Sequence, residues 1–128
     1  MDTWILKVKI SVLWLFYSVL FLAAWMTLAF MEPGAIEQIM AEEIYLLLTL
    51  TILLLVPLIM AFLSLTLKDS ANRWTNIILG IVFTVFQLTA LMTLAQPSAH
   101  MILLEGARVV APALIVWYAW KWPKQQRG

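Results

Sequence analysis

The sequence predicts an all-α integral membrane four-helix bundle with short loops, and three observations carry that prediction. The 128 residues are 64% hydrophobic and 12% charged, against about 25% charged for an average soluble domain. A water-facing fold of this size would leave most of those apolar side chains unburied. Charges divide the chain into four apolar runs: Ile10–Met31 (22 residues), Ile44–Leu67 (24), Trp74–Ala95 (22) and Ser98–Trp120 (23, interrupted by Glu105 and Arg108). Each meets the roughly 20 residues that span hydrocarbon. Basic residues fall on alternate connections, as the orientation rule for membrane helices requires. No run shows the period-two alternation of a barrel strand, and an open strand would leave backbone groups unsatisfied in lipid.

The first span is expected over about residues 5–31. Lys7 and Lys9 could begin a secretory signal, but the apolar run is about twice the usual length. Glu32-Pro33-Gly34 is a turn rather than a small-residue cleavage site, so a retained helix is expected. After that break, Ala35–Glu43 places Ile36, Ile39 and Met40 on one face and Glu37, Gln38 and Glu42 on another. This spacing fits a short amphipathic helix on the outer interface, or a cap over the bundle mouth. The second span is expected at about 44–67, with Tyr45, Thr49 and a mid-span Pro57; the third at about 73–95; the fourth at about 98–122. The fourth closes in Trp117-Tyr118-Ala119-Trp120-Lys121-Trp122, and Pro123 stops it. All four spans form one domain, residues 1–128.

Lys7 and Lys9 precede the first span, Lys68 and Arg73 join the second to the third, and Lys121, Lys124 and Arg127 follow the fourth. The other side has no basic residue: its first loop carries Glu32, Glu37, Glu42 and Glu43, and its second is Gln96-Pro97. Both termini are therefore expected in the cytoplasm, in a multi-pass protein of the inner (plasma) membrane. Trp4, Trp74, Trp117, Trp120 and Trp122 fall at the same expected interface, where amphipathic rings anchor.

Counting excludes several chemistries. No cysteine means no disulfide and no thiolate metal site, and His100 alone cannot make a bis-histidine haem or a multi-histidine zinc site. A net charge of +1 carries no nucleic-acid footprint. Phosphate-loop, nucleophile-elbow and zinc-protease motifs are all missing. No catalytic residue, metal site or cofactor is assigned.

Polar groups inside the spans are the candidate site. Charge at a helix centre costs about 2.5–3.5 kcal/mol on insertion scales. Counted from Ser98, Glu105 lies ~10 Å deep and Arg108 ~15 Å. Their i,i+3 spacing puts them on one face, as an internal ion pair or as a ligand or ion site. Pro112, four residues on, cannot donate to the Arg108 carbonyl and frees an acceptor there. Gly106, Ala107, Ala111 and Ala113 surround it with small residues suited to close helix approach. In the third span Arg73, Asn76, Gly80, Thr84 and Gln87 share one face that should meet protein, not lipid. Asn76 is expected to bond across to another helix, and Gln87 to partner Arg108 or Glu105. The first span presents Lys7, Ser11, Trp14, Ser18 and Trp25 on a similar face.

Four segments occur together: Lys7-x-x-x-Ser11-x-Leu13-Trp14, Met31-Glu32-Pro33-Gly34, Ala71-Asn72-Arg73-Trp74-x-Asn76-Ile77-Ile78-x-Gly80 and the aromatic closing run. With them the chain resembles a family of small bacterial four-helix membrane proteins of unknown function. The resemblance spans nearly the whole chain and implies the four-span fold, without an activity. By architecture alone it is also similar to DoxX-like proteins, whose relatives include binders of sterols or other lipids, an analogy of fold only.

Three functions compete. One is a binding bundle, with an outer-facing pocket lined by Glu105, Arg108, Gln87, Thr84 and Trp25 that takes a small amphiphile or membrane lipid. Another is a small transporter working as a homodimer, although Arg108 opposes a cationic substrate and a paired carboxylate is not free for coupling. The last is an accessory subunit that meets a partner membrane protein through the Glu105–Arg108 pair or the Gly80 face.

Overall fold

The computed structural model describes residues 3–42, 45–92 and 99–122. Glu43, Ile44, the Gln96-Pro97 turn, Pro123, Lys124 and Arg127 lie outside the described residues, as do the side chains of Met40 and Glu42. Five α-helices run in chain order: α1 (Thr3–Met31), α2 (Ala35–Glu42), α3 (Leu46–Thr66), α4 (Asp69–Met92) and α5 (Ala99–Trp120). No strand occurs among the described residues.

α1, α3, α4 and α5 are long and apolar enough to cross a membrane. Their polarity is distributed inside-out. Ser11, Ser18, Ser64, Asn72, Asn76, Gln87, Glu105 and Arg108 are buried, whereas Phe16, Val19, Phe30, Leu47, Phe62, Ile78 and Leu103 are exposed. In water that arrangement would lose both the hydrophobic and the solvation terms. In lipid it is favourable, because tails solvate the apolar faces and polar groups find partners only between helices. The chain is a multi-pass membrane protein.

α1 packs against α3 on one side and α5 on the other, and α4 packs against α5. Around the bundle the order is therefore α3–α1–α5–α4. The core is a column of Ile10, Trp14 and Tyr17 from α1, Met60 and Ala61 from α3, Ile77 and Phe83 from α4, and Ala111, Ile115 and Ala119 from α5. At its centre Trp14, Tyr17 and Phe83 meet pairwise edge-to-face, with ring centroids 5.4–6.5 Å apart, the arrangement that ring quadrupoles favour.

α4 begins at Asp69, a turn earlier than the run of apolar residues suggests. The charges at Asp69 and Arg73 limit what can sit in hydrocarbon; they do not limit the helix. Asp69 favours the positive N-terminal end of α4 and lies 3.3 Å from Lys7 Nζ. The corner from α3 to α4 is held by Asn72, whose Nδ2 donates to the Ser64 carbonyl at 2.8 Å. That carbonyl belongs to the last turn of α3, where helical partners run out.

At the opposite end, Gly34 takes φ +88°, a left-handed conformation that strains residues bearing a Cβ. It turns the chain from α1 into α2. There Ile36 and Ile39 are half-buried while Glu37 and Gln38 are exposed, the amphipathic division expected from the spacing.

Candidate functional site

The helix interior carries two polar layers, ~16 Å apart along α4 from Asn76 to Gln87. The first lies toward the basic end of the bundle, where Lys7, Lys68 and Arg73 sit. There Trp14 Nε1 donates to Asn76 Oδ1 at 2.7 Å, and Ser64 Oγ donates to the same oxygen at 3.3 Å. Asn76 Nδ2 in turn donates to Asn72 Oδ1 at 2.6 Å and to the Asn72 carbonyl at 2.9 Å. The indole only donates, so it fixes which end of the Asn76 amide faces α1. Ser11 Oγ adds a bond from α1 to the Ala61 carbonyl of α3 at 2.7 Å. This layer ties α1, α3 and α4 together.

The second layer, toward the α2 end, holds charge. Arg108 Nη1 donates to Glu105 Oε2 at 2.8 Å and Arg108 Nη2 to Gln87 Oε1 at 3.0 Å. Gln87 Nε2 closes the ring by donating to Glu105 Oε1 at 3.0 Å. Tyr17 OH donates to Gln87 Oε1 at 2.6 Å. Arginine and the phenol both donate here, so the contacted Gln87 atom is the oxygen. The guanidinium also lies over the Phe21 ring at 5.0 Å and the Tyr17 ring at 5.9 Å. Glu105 and Arg108 are 7% and 5% exposed and Gln87 is fully enclosed. Such a cyclic network offsets the cost of placing charge in hydrocarbon and fixes the relative height of α1, α4 and α5.

The network is closed on one side only. Above it, toward the α2 end, is a cavity of about 280 Å³. All four long helices wall it, among them Trp25 of α1, Leu50 and Leu53 of α3, and Phe86 and Ala90 of α4. Glu105 and Arg108 are its charged part. Arg108 Nε is buried without a hydrogen-bond partner among the described residues. An apolar cavity with a few convergent polar groups is the usual form of a small-molecule site, and this one falls just below the common range of about 300–1,000 Å³. Among the described residues no group of three or more metal-binding side chains occurs.

A family model described as "Family of unknown function (DUF6326)" matches residues 3–128. The chain belongs to that family. No curated protein and no solved structure matches it, so the likeness to DoxX-like proteins finds no support in the comparisons. For this DUF6326 protein the function must be argued from the site itself.

The structure brings Glu105, Arg108 and Gln87 into one network and places Trp25 on the cavity wall. Thr84 is not brought in: its hydroxyl donates to the Gly80 carbonyl of its own helix at 2.6 Å. A threonine in a helix commonly satisfies itself this way. Gly80 sits against α5, where an added Cβ would lie 2.6 Å from Val116 Cγ2 and 3.2 Å from the Pro112 carbonyl oxygen. Pro112 is buried within an α5 that runs unbroken from Ala99 to Trp120. Of the small residues around it only Ala111 is buried; Ala113 is exposed and Gly106 has nothing within 4 Å of a built Cβ. Consecutive helical positions point in different directions, so the four cannot share one contact face.

Tyr17, Phe21, Ser64 and Asn72 are the partners that sequence reasoning missed. Tyr17 and Phe21 belong to a run Ile10, Trp14, Tyr17, Phe21, Ala24 at steps of four and three, all buried. That spacing was available, but in a helix that is apolar all round, apolar periodicity does not separate lipid-facing from protein-facing sides.

Proposed function

We propose that this membrane bundle binds a small amphiphile or lipid in the cavity above the Glu105–Arg108–Gln87 ring. The carrying observation is that a buried ion pair forms the floor of an otherwise apolar cavity. The polar head would meet Arg108 and the tail would lie against Trp25, Leu50, Leu53 and Phe86. Glu105 lies 2.8 Å from the guanidinium, so the floor is neutral as a pair. That favours an uncharged, hydrogen-bond-accepting head, such as a hydroxyl or carbonyl, over a strongly anionic one. The donor for such a head is the Arg108 guanidinium, which lines the cavity.

The same pairing argues against ion-coupled transport, because neither charge is free to exchange a proton or ion while the ring is closed. With the basic end in the cytoplasm, the cavity would lie in the outer half of an inner-membrane protein, below the α2 cap. Ligand entering from the outer leaflet is consistent with that placement.

The test is a thermal-shift series in mild detergent with single-chain amphiphiles of graded length bearing hydroxyl, carbonyl or carboxylate heads. The wild type should be stabilised by one head class and by a limited range of chain lengths. Ala90→Phe puts an aromatic ring into the cavity while changing no residue of the network, and should abolish the shift. Equal stabilisation of both proteins by every amphiphile would reject the cavity as a binding site.

A further inference from the structure

We infer that the basic end of the bundle carries a separate phosphate site, built on Arg73 and supplied by an anionic phospholipid headgroup. Arg73 is 8% exposed. Its guanidinium lies 4.9 Å from the Trp74 ring and 5.6 Å from the Trp120 ring, which position it between the start of α4 and the end of α5. Yet the side chain makes no hydrogen bond and no ion pair among the described residues, and its buried Nε has no acceptor. Contrast Arg108, which has Glu105 and Gln87. A guanidinium has five N–H donors and no acceptor capacity. Two aromatic faces supply cation–π attraction but accept little from the in-plane N–H groups. A largely buried cation with its whole donor fork unspent is complementary to an anion with several oxygens in one plane.

The chemistry of that anion follows from the place. Arg73 is one turn into α4, at the end of the bundle where Lys7, Lys9, Lys68 and Lys121 also gather, while the only described carboxylate there, Asp69, is already on Lys7. Trp74, Trp117 and Trp120 are half or more exposed at the same level, the position of an aromatic belt at the headgroup boundary. Trp122 Nε1, just past the end of α5, is a second buried donor without a partner among the described residues. Planar, forked donors beside a phospholipid interface match a phosphodiester, to which Arg binds in bidentate fashion. The site is independent of the cavity: it uses other residues, at the other end of the bundle.

The experiment uses the full chain in mild detergent, with phosphatidylglycerol, phosphatidylcholine and inorganic phosphate as probes and native mass spectrometry as readout. The wild type should retain phosphatidylglycerol in preference to phosphatidylcholine. Arg73→Gln should weaken that retention by about tenfold or more, as expected for losing a charged bidentate contact. Lys9→Gln removes the same charge from the same end and should change it by less than about twofold. Arg73→Lys keeps the charge but not the fork, and its intermediate loss covers the case in which the glutamine variant does not fold. Inorganic phosphate that fails to compete assigns the site to the lipid; phosphate that displaces the lipid assigns it to a free phosphate and overturns the lipid source. Equal retention by wild type, Arg73→Gln and Arg73→Lys would overturn the site altogether.

Discussion

Removing Arg108 alone should destabilise the bundle more than removing Arg108 and Glu105 together. Arg108→Met deletes two hydrogen bonds, one of 2.8 Å to Glu105 and one of 3.0 Å to Gln87, and leaves a carboxylate 7% exposed without its counter-charge. A side-chain hydrogen bond in a membrane protein averages about 0.6 kcal/mol, with a maximum of about 1.7, so two do not exceed about 3.4 kcal/mol. Stranding a buried charge is the larger effect, at about 3–5 kcal/mol in soluble proteins. A total of at least about 3 kcal/mol is therefore expected for Arg108→Met, and a similar loss for Glu105→Met, which strands the guanidinium. In the double variant no charge is stranded. Gln87 Nε2 loses its acceptor, at about 1–3 kcal/mol, while Gln87 Oε1 keeps Tyr17 OH. The two single losses should thus exceed the double loss by about 3 kcal/mol. The assay is unfolding by SDS titration, followed by tryptophan fluorescence and far-UV circular dichroism. Additivity within about 0.5 kcal/mol would show that the two charges do not act as a pair and would refute the reasoning.

Other outcomes follow from the same geometry. Gly80→Ala should destabilise by about 1–3 kcal/mol in the same titration, because the new methyl would meet Val116 Cγ2 at 2.6 Å and the Pro112 carbonyl at 3.2 Å; Val116→Ala should recover part of that loss. Asn76→Leu should strand Trp14 Nε1, at about 1–3 kcal/mol, and Asn76→Asp, which keeps an acceptor for the indole but sets a carboxylate against the two Asn72 oxygens, should cost at least as much. Tyr17→Phe removes one hydrogen bond to Gln87 and should cost about 0.6–1.7 kcal/mol, with the aromatic cluster intact by near-ultraviolet circular dichroism. For orientation, a thiol introduced at exposed Gln38 should label from outside intact cells, and one at exposed Ser70 only after permeabilisation. The reverse pattern would place the basic end outside.

The architecture was legible because the bilayer imposes a length and a charge pattern that a sequence displays directly. Four apolar runs correspond to the four long helices, and Pro33-Gly34 to the turn after the first of them. The i,i+3 spacing of Glu105 and Arg108 was equally plain, since charge in an apolar run has few places to go. The α4 stripe of Arg73, Asn76, Gly80 and Gln87 was readable for the same reason: polar residues in lipid mark the protein-facing side. Tyr17 and Phe21 were not readable, because a tyrosine or phenylalanine is at home against lipid as well as in a core. Thr84 was misleading, since its hydroxyl can be satisfied within its own helix and need not face anything. The sequence suggested a pocket at Glu105, Arg108 and Trp25 but not its apolar walls: whether Leu53, Phe86 and Ala90 fill the space above a charge pair or leave it open depends on helix separations that no local pattern encodes.

The account stands or falls on whether the cavity above the Glu105–Arg108–Gln87 ring holds a ligand. Native mass spectrometry of the protein released from a mild detergent reads this most directly, on the wild type and on Ala90→Phe with matched far-UV circular dichroism. The account predicts a lipid-sized mass of defined stoichiometry on the wild type, in addition to any phospholipid held at Arg73, that is lost from Ala90→Phe. A wild type that flies without that additional mass, or the additional mass retained equally by both proteins, would contradict it.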